Sequence, residues 1–221
     1  MNTQTHLLLA AALFARSTKT SPHASDRIDQ SRVSSRLINL AVLAGALIPD
    51  VSLFVMFGQA KARGIADDVI WGEMYFSSLW QEIGAITNSI PLFTLLAVLG
   101  FMSGGRLWTR SHIVQSEKNF GYVLLFLSLA ALTHCLTDLP LHVDDGHAHF
   151  WPFTDWIFAS PVSYWDANHY AHFWQPVEIA IALVCVLVIW RRFTSIWVRL
   201  AAITGLMSFA LLVAYWSLAF G

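Results

Sequence analysis

Five long apolar runs, at about 37–57, 84–102, 120–141, 174–190 and 196–219, dominate this chain, and a shorter one covers 4–15. A membrane-crossing helix needs roughly 20 apolar residues, because it must satisfy its own backbone polar groups across a hydrocarbon core about 30 Å thick. Five runs meet that length; the first crosses with help or enters partway. The pattern predicts an all-α, polytopic transmembrane helix bundle of five to six membrane helices, one integral membrane domain over 1–221. Composition agrees: 12% of residues are charged, against roughly 25% in average soluble domains. Ten tryptophans and fifteen phenylalanines suit a chain with two bilayer interfaces to populate.

Residues 4–15 do not read as a cleaved signal, since no Lys or Arg precedes them while Arg16 and Lys19 follow. Positive charge orients the remainder. Arg16, Lys19, Arg27, Arg32 and Arg36 fill one connection, Arg106, Arg110 and Lys118 another, and Arg191, Arg192 and Arg199 flank a third. These alternate so as to share the cytoplasmic side. The two larger loops, 58–83 and 142–173, then face out, with only Lys61 and Arg63 as cations. Loop 142–173 carries Asp144, Asp145, Asp155 and Asp166 without Lys or Arg. The expectation is a bacterial-type inner (plasma) membrane protein with large extracytoplasmic loops, and with both termini outside if the first run spans. The aromatic-rich stretch Trp151–Trp165 suits a loop lying on the bilayer interface, or a substrate groove there.

Ionisable groups at membrane depth are costly and mark function. Seven of nine histidines fall toward the outer ends of the runs, leaving His23 and His112 on the cytoplasmic side. His134, Asp138 and His142 are four residues apart, which on a helix places them on one face. Imidazole with carboxylate suits zinc, with manganese or iron as alternatives. The candidate metal ligands are His6, Asp50, His134, Asp138, His142, His147 and His149; His142 or Asp145 would serve as proton acceptor. His169 and His172 read as rim groups, and Asp155 and Asp166 as turn residues. Cys135 and Cys185 lie in apolar runs and suggest no disulfide framework. No phosphate loop, dinucleotide fingerprint, paired zinc-finger cysteines or HExxH is present, no basic patch supports nucleic-acid binding, and no internal repeat points to a transporter.

Thr5-His6-Leu7, Gly45-Ala-Leu-Ile-Pro49-Asp50 and His134-Cys-Leu-Thr-Asp138 together resemble the predicted inner-membrane metal-dependent hydrolases, over roughly residues 1–150. The resemblance implies a helical membrane protein with a divalent metal site and hydrolase activity. Two departures stand out. Where that family commonly has His-Arg-x-x-Thr-His-Ser, this chain has Thr87-Asn88-Ser89, and the acidic residue two after Pro-Asp is Ser52. The segments Thr87-Asn-Ser-Ile-Pro91 and His149-Phe-Trp-Pro152 also resemble a branch sometimes labelled cobalamin biosynthesis. That label implies a soluble α/β amidotransferase with a Cys nucleophile, which this sequence lacks. Two functions follow: a metal-dependent hydrolase acting on a lipid-like or phosphoester substrate at the extracytoplasmic face, or a non-catalytic metal-binding accessory protein, favoured by the Asn88 departure. A haem subunit would need paired deep histidines on facing helices; only His134 lies deep, with no clear partner.

Overall fold

The computed structural model describes residues 1–17, 34–104 and 115–220, residues 115–118 and 215–220 by their backbone alone. Its elements are α1 (Thr3–Phe14), α2 (Ser35–Ala62), a short α3 (Asp67–Val69) continuing into a wider turn over Ile70–Met74, α4 (Ser78–Thr87), α5 (Ile90–Gly104), α6 (Gln115–Asp138), α7 (Ala171–Arg192) and α8 (Ile196–Phe220). Among the described residues there is no strand. Five stretches are long and apolar enough to cross a membrane: Ser35–Ala62, Ser78–Gly104, Asn119–Leu141, Ala171–Arg192 and Ile196–Ala214. Each contains or overlaps one predicted apolar run. Large apolar side chains such as Leu40, Leu95, Val184, Trp197 and Leu211 point outward and are exposed, as a lipid-facing wall requires. The charge map read from sequence draws on Lys19, Arg27, Arg32, Arg106 and Arg110, which lie outside the described residues, as do His23 and His112.

The first apolar run becomes a 12-residue helix, about 18 Å long at 1.5 Å per residue and short of a full crossing. It lies inside the bundle, in contact with α2, α6, α7 and α8. Leu8 and Ala12 pack against Ala182, Cys185 and Ile189 of α7 and Ala202 and Phe209 of α8. On its other side Ala10 meets Ile38, Val42 and Ala46 of α2 and Ala130 of α6. Its alanines let four neighbours approach, and its first turn comes to lie at the polar level of the bundle.

Two departures from regular helix shape that level. The second spanning stretch breaks at Asn88–Ser89, just before Pro91, between α4 and α5. A break at bilayer depth is tolerated only where other groups take up the freed backbone. Here Asn88 Nδ2 donates to Gly84 O at 3.0 Å and Pro49 O at 3.2 Å. Ser89 Oγ accepts from Leu92 N at 3.1 Å, and Ile90 N donates to His149 O at 2.9 Å. The loop after α6 therefore folds back onto the break. Sequence spacing extends the α6 face to His142, but α6 ends at Asp138, followed by a tight turn over Leu139–Leu141, and His142 is extended. Pro140 explains the stop: it lacks an N–H, and in a continued helix its ring would strike the carbonyl four residues back.

Close backbone contact sets the spacing of α2 against α6. A Cβ at Gly45 would stand 2.0 Å from Leu127 O. Only glycine fits there, the small-residue contact that membrane helices use to approach one another.

Candidate metal centre

His6 from α1 and His134 from α6 stack face to face, ring centroids 3.6 Å apart and planes 12° from parallel. Their tautomers follow from their partners. His134 Nδ1 lies 2.7 Å from Ala46 O, which can only accept, so Nδ1 carries the proton. Thr137 commits its hydroxyl hydrogen to Thr133 O at 2.8 Å, so its oxygen accepts from His6 Nδ1 at 3.3 Å. Both Nε2 atoms are then bare lone pairs, fully buried and without hydrogen-bond partners. They face carboxylate oxygens: His6 Nε2 is 3.4 Å from Asp138 Oδ1, and His134 Nε2 is 3.8 Å from Asp138 Oδ2 and 3.5 Å from Asp50 Oδ1. Lone pairs converging on a buried carboxylate repel unless a cation lies among them; the Met1 ammonium, in contact with Asp138 Oδ1, supplies one at that oxygen, and neither Nε2 has a donor of its own. One ligand atom each from His6, His134 and Asp138 falls within 4.8 Å of the others. This group could hold a divalent metal ion, and the Nδ1–H bond from His134 to a backbone carbonyl is the orienting contact that metal-bound imidazoles use.

The other sequence candidates divide. Asp50 reaches the edge of the cluster from α2, its Oδ2 accepting from Thr3 Oγ1 at 2.5 Å. His142 joins through its ring: Nε2 donates to Asp138 Oδ2 at 3.1 Å, while Nδ1 lies 3.0 Å from Asp145 Oδ1 without hydrogen-bond alignment. Trp165 Nε1 donates to Asp145 Oδ2 at 2.8 Å, which leaves Oδ1 for His142. Burial opposes charge on His142, but Asp138 and Asp145 outweigh it and raise its pKa to about 9. His147 and His149 stay outside the compact group. His149 Nδ1 donates to Asn88 O at 3.0 Å, so its ring is committed to the helix break. His147 stands 6.2 Å from His142 between ring centroids, and its pKa falls to about 4 through burial and then the neighbouring His142 and His149. His169 pairs with Asp166 at 2.6 Å and His172 is exposed, so neither belongs to the compact group. Asp166 accepts from Asn168 N at 2.9 Å as a turn residue, and Asp155 is exposed.

Three further groups bear on the cluster without being among the candidate ligands read from sequence. The amino group of Met1 contacts Asp138 Oδ1. Glu178 of α7, fully buried, accepts from Asn2 N at 2.7 Å and thereby ties down the start of α1, which carries His6 four residues on. Its signal was available: a carboxylate inside an apolar run costs too much to be idle. Asn88, at the position of a family histidine, turns its amide to Pro49 O and Gly84 O, away from the cluster.

The family model for the YdjM inner membrane protein matches residues 1–219. No curated protein and no solved structure matches the chain. The chain belongs to the YdjM inner membrane protein family.

Proposed function

We propose that this member of the YdjM family is a membrane-embedded metal-dependent hydrolase acting on a lipid-like or phosphoester substrate at the extracytoplasmic face. The observation that carries the reading is the convergence of two bare imidazole Nε2 atoms on the buried Asp138 carboxylate. His6, His134 and Asp138 would hold the ion, with Asp50 at its edge; zinc fits this donor mixture best, and manganese or iron are the alternatives. When bound, such an ion acidifies water toward neutrality and offsets negative charge on a phosphoester, a role that matters here because no Lys or Arg pairs with the cluster among the described residues. His142 or Asp145 would serve as proton acceptor. Asp138 and Asp145 hold the pKa of His142 at about 9, so it accepts on Nδ1 only once deprotonated, and Asp145 Oδ1, 3.0 Å from that nitrogen and without an aligned hydrogen bond, is the second acceptor. The outward placement of the site follows from the Lys and Arg distribution in the sequence.

A second reading, a non-catalytic metal-binding or accessory protein, draws support from Asn88, whose side chain is spent on backbone carbonyls where the hydrolase pattern has a histidine. Metal analysis of purified wild type, His134→Ala and Asp138→Ala, with phosphoester and lipid hydrolysis assayed on the same samples, separates the two. Metal and turnover in wild type, both lost in the variants, is the expected result. Metal without turnover on any substrate favours the accessory reading. Well-folded wild type that takes up no zinc, manganese or iron refutes both.

A further inference from the structure

Glu178 is fully buried in α7, just before an unbroken apolar stretch over 179–190. No Lys, Arg or His among the described residues forms an ion pair with it. A buried carboxylate is costly unless hydrogen bonds offset its loss of water. Both its oxygens face one residue. Oε1 accepts from Asn2 N at 2.7 Å, and Asn2 Nδ2 lies 3.4 Å from Oε1 and 3.3 Å from Oε2. Asn2 O in turn accepts from His6 N at 3.2 Å. One residue thus links the carboxylate to the backbone of a cluster imidazole. The His6 ring itself has only its stack on His134 and a 3.3 Å hydrogen bond from Nδ1 to Thr137 Oγ1. α1 joins the hydrophobic core from Leu7 onward. Polar bonds therefore fix its first turn, Asn2 to Glu178 on one side and Thr3 Oγ1 to Asp50 Oδ2 on the other.

We propose that Glu178 is a positioning residue for the His6–His134–Asp138 cluster: through Asn2 it sets the first turn of α1 and so keeps His6 Nε2 directed at Asp138. This rests on the metal-binding part of the reading above for its consequence, and not on hydrolysis. The role asks for an acceptor rather than a charge. Glutamine meets it: its Oε1 takes Asn2 N, and its amide N–H finds the Asn2 side-chain oxygen once that amide turns over. Removing the buried charge in this way is itself neutral or stabilising. Alanine leaves Asn2 N without a partner.

Zinc affinity of the full chain in detergent, measured by competition with a chromogenic chelator, provides the test. Glu178→Ala should weaken binding about 10- to 100-fold, as loss of an orienting contact does, and Glu178→Gln should bind like wild type. In a His6→Ala background, Glu178→Ala should change nothing further, because the ligand it positions is already gone; a merely structural carboxylate would weaken both backgrounds alike. Asn2→Pro removes the same N–H at a φ of −74° that proline adopts, so the cycle can be run if Glu178→Ala does not fold. Wild-type affinity in Glu178→Ala or Asn2→Pro, equal loss in the Gln and Ala variants, or a loss that persists in full without His6 overturns the proposal. Amide hydrogen exchange at Thr5 and His6, whose N–H groups bond to Asn2 O, reads the seating of α1 without metal. Faster exchange in Glu178→Ala but not in Glu178→Gln, in protein that takes up no metal, sustains the positioning and refutes the metal readings. Unchanged exchange with tight zinc binding in Glu178→Ala does the reverse.

Discussion

Gly45→Ala adds one methyl group, yet it should weaken both the bundle and the metal site. The new Cβ would sit 2.0 Å from Leu127 O, and real Cβ contacts stay above 3.0 Å, so α2 and α6 must part locally by about 1 Å. The atom it strikes belongs to a helix backbone and cannot swing aside. Ala46, the next residue, holds His134 Nδ1 at 2.7 Å; parting the helices by about 1 Å takes that bond beyond hydrogen-bonding reach. Overpacking costs about 1–3 kcal/mol, and a buried donor left unpaired costs a similar amount. Alanine returns only about 1 kcal/mol through helix propensity. The balance is destabilising. Loss of an orienting contact to a metal-bound imidazole typically lowers affinity about 10- to 100-fold. Thermal unfolding in detergent and competition against a chromogenic chelator measure the two effects. Gly58→Ala on the same helix is the control, because a Cβ there meets nothing within 4 Å. Wild-type melting and wild-type metal affinity in Gly45→Ala would refute the link between backbone approach and site geometry.

Asn88→Ala should lower the melting temperature, since the Pro49 and Gly84 carbonyls lose the amide that bonds them, at about 0.5–1.5 kcal/mol because Gly84 O keeps the Asn88 N–H and Pro49 O keeps Thr87 Oγ1. Metal content should hold, and its loss would show that Asn88 serves the cluster directly. In protein stripped of metal, His142 is raised from 6.5 to about 9. The stabilisation that its charged form provides is complete below pH 6.5 and is lost as pH rises through 9, up to about 3 kcal/mol. A melting temperature that falls from pH 6.5 to 9.5 in wild type, and falls less in His142→Gln, is the expected outcome; identical profiles would exclude His142 as the source. A reporter fused at Gly221 should lie outside the cytoplasm, because five crossings follow a cytoplasmic start at α2; a cytoplasmic reporter contradicts the charge map.

Much of the architecture was legible because its causes are local. Length and continuous apolarity answer directly to bilayer thickness, and the predicted runs 37–57 and 174–190 lie within Ser35–Ala62 and Ala171–Arg192. The helix ends were harder. The run at 84–102 concealed the break at Asn88–Ser89, although Pro91 was a visible signal, and Pro140 stopped α6 before His142. The His142–Asp138 contact formed nonetheless, through a turn instead of a continued helix.

The sequence by itself determined that this chain is a membrane bundle with imidazoles and carboxylates gathered toward one level, since hydropathy and charge are properties of each residue wherever it goes. Only the tertiary structure decided which of them meet. His6 stacks on His134 because an alanine-rich helix fits among four others, and Glu178 holds its start. His134 is aimed by a carbonyl that Gly45 allows to come close. His149, equal to the others as a residue type, is held by the carbonyl of Asn88 at the helix break, and His147 stands outside the compact group. A ligand set depends on directions fixed by backbone contacts between residues over a hundred positions apart, such as His6 and Asp138, and spacing along the chain carries no record of them.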